Sequence, residues 1–350
     1  MRGRNPFNLV GSTPICMGTG LIALDVIING TDGGKASLWA GGSCGNVLTI
    51  LSFLGWSSYP IANHKQDSAS ETILKDMVHW GVNSRFVFRS EKGITPIVVE
   101  RLHSNGKSST HEFQFRCPIC GAKLPRNRPI PLEKMSEIKE NMPSVQVFYF
   151  DRVSRAALAL AKVQKERGAL IVFEPATLSK ERLFRESLDI AHVVKYSGKQ
   201  IDISRYNSGV PLEIQTLGAE GLRYRLRPTE HSSNEWQKLP AFHVPNPTDS
   251  AGAGDWCTTG IIHSIGQNGA DGFLRASGSS IKNALIFGEA LAALKCMYKG
   301  ARGIMYRLTK EELKSIVWNL LEGKNLDLRP PTALQDSDSR NIQYLCSACK

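Results

Sequence analysis

Apolar residues fall along this chain in two rhythms. Short, nearly continuous runs at 15–17, 145–150, 170–173, 192–194 and 214–217 predict buried β-strands. Between several of them the apolar positions recur every three or four residues, as on one face of a helix. The clearest such stretch is 155–167, rich in alanine and followed by Gly168 as a stop. Others carry Val47, Leu48, Leu51 and Leu54, or Trp256, Cys257, Ile261, Ile262 and Ile265. Alternation of strand and helix marks a mainly parallel sheet wrapped by helices. No fixed-period repeat interrupts it.

Two stretches depart from that rhythm. Within 94–115, Ile97-Val98-Val99 and Phe113-Gln114-Phe115 flank a turn at Ser104-Asn105-Gly106 and predict a hairpin outside the core. Arg223, Arg225 and Arg227 alternate as the solvent face of a strand would.

The chain has 350 residues, 41% of them hydrophobic, enough for one large α/β core. Lysine and arginine number 43 against 32 acids, a net charge of +11 that suits an anionic ligand. Nucleic acid is the other reading, but no long block of like charge supports it. Arg2 and Arg4 precede an apolar stretch that Pro14, Gly18, Gly20 and Asp25 interrupt. That stretch reads as a buried first strand, not a secretory signal. No run of about 18 apolar residues offers a membrane span, and a cytoplasmic location is expected.

The stretch with most chemical content is Asp249-Ser250-Ala251-Gly252-Ala253-Gly254-Asp255, which runs into the apolar helix ending at Ile265. Small residues let backbone N–H groups close around an anion, and the helix behind aims its positive end at the same point. A carboxylate in that first turn could take a proton from an attacking hydroxyl. The plain alternative is a glycine-rich loop capped by Asp255. Upstream, Gly41 and Gly42 allow close backbone approach, and Asn46 offers a donor and an acceptor to hydroxyls. Asp25 ends the apolar run 15–24, where a strand would deliver it to the carboxyl edge of the sheet.

With Gly41-Gly42-x-x-x-Asn46 as a first signature and Asp249 to Asp255 as a second, the chain resembles the PfkB (ribokinase-like) carbohydrate kinases. Thr216-Leu-Gly218-Ala-Glu-Gly221 and Gly300-Ala301 resemble that family's nucleotide-side turns and fall in its order. The resemblance implies a three-layer α/β/α sandwich over residues 1–335, with a mainly parallel central sheet and a small β lid from segments 26–39 and 94–116. The first lid segment is short, so a reduced lid is expected, one suited to a small substrate or completed by a partner subunit in a homodimer. The implied activity is ATP-dependent phosphorylation of a hydroxyl on a sugar, sugar derivative or nucleoside. Asp255 would be the base and Gly252, Ala253 and Gly254 the anion hole. Asp25, Gly41, Gly42 and Asn46 would hold substrate hydroxyls, and Ser197, Thr216, Gly218 and Gly221 would line the nucleotide side. Asp249 would shape the loop or a nearby cation site.

Departures from the family pattern are also present. Where the family carries an Asn-x-x-Glu pair that organises Mg2+ and its waters, this chain has Ser197 and Gln200. An amide in place of a carboxylate removes charge that a hard cation favours. Magnesium is therefore expected to bind weakly, or mainly through phosphates and water. The family's Gly-x-Asp stretch is replaced by Asn63-His-Lys-Gln-Asp67. These departures leave a second reading, a sugar- or nucleotide-binding regulator of the same fold.

Cysteine usage adds a separate element. Cys117-Pro-Ile-Cys120-Gly121 has the spacing of a zinc knuckle, and Cys346-Ser-Ala-Cys349 repeats the pair near the end of the chain. Together, residues 117–121 and 340–350 supply four sulfurs, the complement of a closed structural Zn2+ site. Redox disulfides or separate surface thiols are the alternatives. A zinc-dependent nucleic-acid module is the third functional reading, weakened by the lack of an intervening helix with basic and aromatic residues. The remaining cysteines, Cys16, Cys44, Cys257 and Cys296, read as small buried thiols. Stretches 329–331 and 336–339 read as polar linker.

Overall fold

The unbroken apolar runs become strands whose successive side chains feed two different cores. In a computed structural model, residues 6–29, 36–104, 109–206, 208–227, 235–245, 247–324 and 346–349 are described. The strands are β1 (Ile15–Thr19), β2 (Ala23–Asn29), β3 (Ala36–Gly41), β4 (Ser57–His64), β5 (Val87–Arg89), β6 (Ile97–Ser104), β7 (Ser109–Gln114), β8 (Val147–Phe150), β9 (Leu170–Phe173), β10 (Val193–Ser197), β11 (Leu212–Thr216), β12 (Leu222–Leu226) and β13 (Gln237–Leu239). The helices are α1 (Ser43–Phe53), α2 (Ser68–His79), α3 (Met135–Asn141), α4 (Arg155–Glu166), α5 (Glu181–Ile190), α6 (Ala253–Ile265), α7 (Gly269–Leu274), α8 (Gly278–Lys295) and α9 (Lys310–Leu321).

Nine strands form the central sheet in the order β13-β12-β11-β10-β9-β8-β1-β4-β5. All neighbouring pairs are parallel except β11 with β12 and β12 with β13. Cys16, Val147, Tyr149, Leu170 and Val172 pack toward α1, α6 and α8 on one face. Their neighbours Met17, Phe148, Phe150, Ile171 and Phe173 pack toward α3, α4 and α5 on the other. Burial of both faces is why these strands are apolar at every position instead of alternating. Helix α6 is apolar nearly all round for a related reason. It lies between the sheet and a second layer, in which Trp256 packs with Phe287 and Val317. The fold is the ribokinase-like α/β/α sandwich.

Where a reduced lid is expected, the chain forms a four-stranded sheet in the order β3-β2-β6-β7, from its own residues. It begins at Ala23, so it takes in Asp25. Asp25 therefore does not end a core strand, as its position after the apolar run suggests. Strand β1 stops at Thr19, and the chain leaves the main sheet to pair Asp25 with Trp39 and Val98. The arginine alternation also differs from a purely solvated face. On β12, Arg225 pairs with the fully buried Glu213 at 2.6 Å, and Arg223 donates to Gln215. Gly168 follows α4 with φ of +87°, as a helix stop requires. The expected turn at 104–106 lies partly, and the stretches 329–331 and 336–339 wholly, outside the described residues. Among the described residues no helix is long and apolar enough to cross a membrane.

Candidate active site

A cavity of about 660 Å³ opens between the carboxyl ends of the central strands and the lid, the usual place for a ligand in an open α/β sheet. Asp25, Gly42, Asn46, Gly252, Gly254 and Asp255 all line it. Two sequence motifs more than 200 residues apart thus meet at one atom pair, with the Asn46 side-chain amide donating to Asp255 Oδ2 at 2.7 Å.

The 249–255 loop holds its shape through buried contacts. Asp249 accepts from the N–H of Ala251 at 2.8 Å and of Gly300 at 2.7 Å. The cation beside it is the Lys295 ammonium, fully buried, 3.3 Å from the Asp249 carboxylate and donating to its carbonyl at 2.7 Å. Burial pulls that ammonium below the ordinary lysine range, and Asp249 opposes the shift. Gly252 starts α6 at φ of +77°, and a Cβ there would come within 2.6 Å of Ala301 Cα. Both facts require glycine. Gly252 and Gly254 line the cavity at the start of α6 with the helix dipole behind them, whereas the Ala253 N–H, expected in the anion hole, is taken up by the Ser250 carbonyl at 3.1 Å.

Asp255 is buried, and its carboxyl is pushed up to about 8. Desolvation is the main cause, the Glu174 carboxylate adds to it, and the Asn46 hydrogen bond and Lys195 work the other way. Burial also raises Asp25 to about 7, opposed by Arg302 and the Gly42 N–H. A Cβ at Gly41 would lie 1.8 Å from Asp25 Oδ2 and would displace that carboxylate.

Several groups escaped the sequence reading. Asp151 follows β8, accepts from Leu21 N–H at 2.9 Å and lines the cavity. Glu174 follows β9 and pairs with the buried Lys195 of β10 at 2.5 Å, while its other oxygen accepts from Thr258 at 2.7 Å and Tyr149 at 3.2 Å. Burial pulls the Lys195 ammonium down, but Glu174, with Cys257 and Asp255, more than offsets this and leaves it above the ordinary lysine value. The available signal was a charged residue in or just after a buried strand run, at the edge where ligands bind.

On the expected nucleotide side, Ser197 and Thr216 lie opposite each other on β10 and β11. Gly218 and Gly221 form the turn that follows, both at positive φ. None of these four lines the cavity, whereas Gln200 does. Asp67, the last residue of the altered stretch after the first signature, caps α2 by accepting from Ser70 N–H at 2.9 Å.

The four cysteines singled out do meet. The sulfurs of Cys117, Cys120, Cys346 and Cys349 all lie within 4.8 Å of one another, with Cys117 to Cys349 and Cys120 to Cys346 at 3.6 Å. A tetrahedron of about 2.3 Å Zn–S bonds spaces its sulfurs about 3.8 Å apart. Cys16, Cys44 and Cys257 are buried and Cys296 is partly buried.

No protein-family model matches this sequence, and no curated protein matches it. Solved structures do share its fold. An uncharacterized sugar kinase from Pyrococcus horikoshii in complex with ATP is 23% identical with a TM-score of 0.61, over 86% of this chain and 99% of that one. A fructokinase from Xylella fastidiosa with bound ATP is 17% identical with a TM-score of 0.68, over 88% and 98%. Aminoimidazole riboside kinase from Salmonella enterica, complexed with aminoimidazole riboside and an ATP analog, is 17% identical with a TM-score of 0.64, over 87% and 99%.

Proposed function

We propose that this chain is an ATP-dependent phosphotransferase that phosphorylates a hydroxyl of a sugar, a sugar derivative or a nucleoside. The observation that carries the reading is the placement of Asp255 in the first turn of α6, held by Asn46, in the same cavity as the glycine turn. In this mechanism the acceptor hydroxyl gives its proton to the Asp255 carboxylate while its oxygen attacks the γ-phosphorus. The bond from that phosphorus to the β,γ-bridging oxygen breaks, and ADP leaves. The backbone N–H groups of Gly252 and Gly254 hold the transferring oxygens, where fixed donors act without reorganisation. A base near 8 is well matched to accepting that proton at neutral pH.

Buried acceptors in the cavity would receive the acceptor's hydroxyls. Asn46 Oδ1 and Glu100 Oε1 are buried oxygens without a hydrogen-bond partner among the described residues, and both belong to cavity-lining residues. Orphaned buried acceptors are costly and are relieved by a ligand with several O–H donors. Lid and floor come from one chain, so the reading needs no second copy.

Glu174 and Asp249 do not fit as magnesium ligands. Both oxygens of Glu174 and both of Asp249 are already engaged, and the family's acid is Gln200. Magnesium therefore enters on the phosphates of ATP. The cysteine cluster, by contrast, suits a closed Zn2+ site that ties the chain's end to the hairpin after the lid. It sits on a hairpin and a one-turn segment, without a helix to enter a nucleic-acid groove.

Ser197 and Gln200 favour a second reading, in which the fold binds sugar or nucleotide and transfers nothing. ATP turnover against a panel of sugars and nucleosides separates the two, with Asp255→Asn as the control. Phosphate transfer by the native chain that falls about 10²- to 10⁴-fold in Asp255→Asn supports the kinase. Absence of transfer across the panel leaves the binding reading.

A further inference from the structure

Charge in the cavity is segregated by depth. Glu100, Asp151 and Asp255 line it as buried carboxyls, and Asp25 as a half-buried one. Arg126, Arg128 and Lys180 line the same cavity as exposed cations. Among the described residues, none of these three pairs with a carboxylate. Arg126 stacks over the Phe115 ring, 4.9 Å from its centroid, and Lys180 reaches only the Val153 carbonyl at 3.5 Å. The other arginine of the lining, Arg152, is already paired with Asp151 at 3.2 Å.

The backbone presents these side chains deliberately. Lys180 is, among the described residues, the one non-glycine residue at positive φ, at +53°, where it starts α5. Such a conformation costs free energy and persists where the surroundings impose it. Arg126 and Arg128 leave the cysteine hairpin, whose Arg116 and Lys123 pair as a bridge. The Pro125 carbonyl accepts from Ile97 N–H at 3.1 Å, so the strap is tied to β6 just before the two arginines.

We propose that the phosphate acceptor itself carries an anionic group, a phosphate ester on a sugar. Arg126, Arg128 and Lys180 hold that group at the rim while its hydroxyls face the carboxyls below. This rests on the kinase reading and names its substrate class. An acceptor with hydroxyls at one end and a phosphate at the other matches both charge layers, and guanidinium groups are suited to phosphate oxygens.

Calorimetry on Asp255→Asn, which needs no turnover, tests the proposal with hexose and pentose monophosphates, each against its unphosphorylated sugar, and with ATP. The expected result is a monophosphate that binds at least about ten-fold more tightly than its free sugar, with Arg126→Ala and Arg128→Ala each weakening it about ten-fold. Both arginines are exposed, so these variants should fold. Absence of monophosphate binding, equal binding of the free sugar, or substitutions that weaken ATP in place of the monophosphate would overturn it. Transfer from ATP to the bound monophosphate by the native chain is read separately. Binding without transfer rejects the kinase reading and leaves the anionic ligand standing.

Discussion

The 249–255 loop and the cysteine cluster are both short motifs that become sites, yet they are held in opposite ways. The loop is assembled from consecutive residues and braced from within by a lysine, since the buried Lys295 ammonium sits against Asp249. Half of the cysteine cluster comes from residues 226 positions further along, and the two halves meet where Cys117, Leu124 and Cys346 are buried together. A braced loop carries its counter-ion in the chain, whereas on the proposed reading the four sulfurs would be held by a metal. The first region should thus survive chelation and the second should not.

Removing the brace is the strongest way to break this contrast. Lys295→Met leaves a buried carboxylate without its cation, and denaturant unfolding should show a loss of about 3 kcal/mol or more. A smaller loss would mean that the backbone donors of Ala251 and Gly300 suffice. Next, Cys346→Ser with Cys349→Ser should release one equivalent of zinc per chain and lower Tm by at least about 4 °C. Zinc-free native protein of unchanged Tm would show that the sulfurs meet without a metal role.

The pH profile sharpens the picture of the loop. Only the carboxylate form of Asp255 can accept the proton, so kcat/KM should rise with pH through about 8. Asn46 stabilises that carboxylate form, so Asn46→Ala should move the rising limb upward by about one pH unit. An unmoved limb would assign it to another group. The smallest effect is expected at Gln200, where Gln200→Glu should lower the magnesium concentration for half-maximal activity about five-fold. A flat response would place the metal away from this residue.

Much of the architecture was legible because burial writes itself into hydrophobic rhythm. The run at 170–173 is β9, that at 214–217 lies on β11 up to Thr216, and 155–166 became α4 with Gly168 as its stop. The loop was legible because its chemistry lies in adjacent residues. Asp25 was misplaced because rhythm does not say which sheet a strand joins, and its strand pairs with the lid. Glu174 and Lys195 were missed because each reads alone as an odd charge in an apolar strand, and only parallel pairing of β9 and β10 makes them a pair. Arg126 and Arg128 carry no motif, and their place at the cavity depends on how the strap folds back.

By itself, then, the amino-acid order determined the alternating layers, the glycine turn with its acid, and the two cysteine pairs. Each is a local matter of side-chain period, backbone freedom or ligand spacing. Only the tertiary structure decided that Asn46 holds Asp255, that Lys295 supplies the loop's cation, that four sulfurs converge, and that acids lie beneath cations in one cavity. Those are relations between residues distant in the chain, and sheet order and layer packing set them.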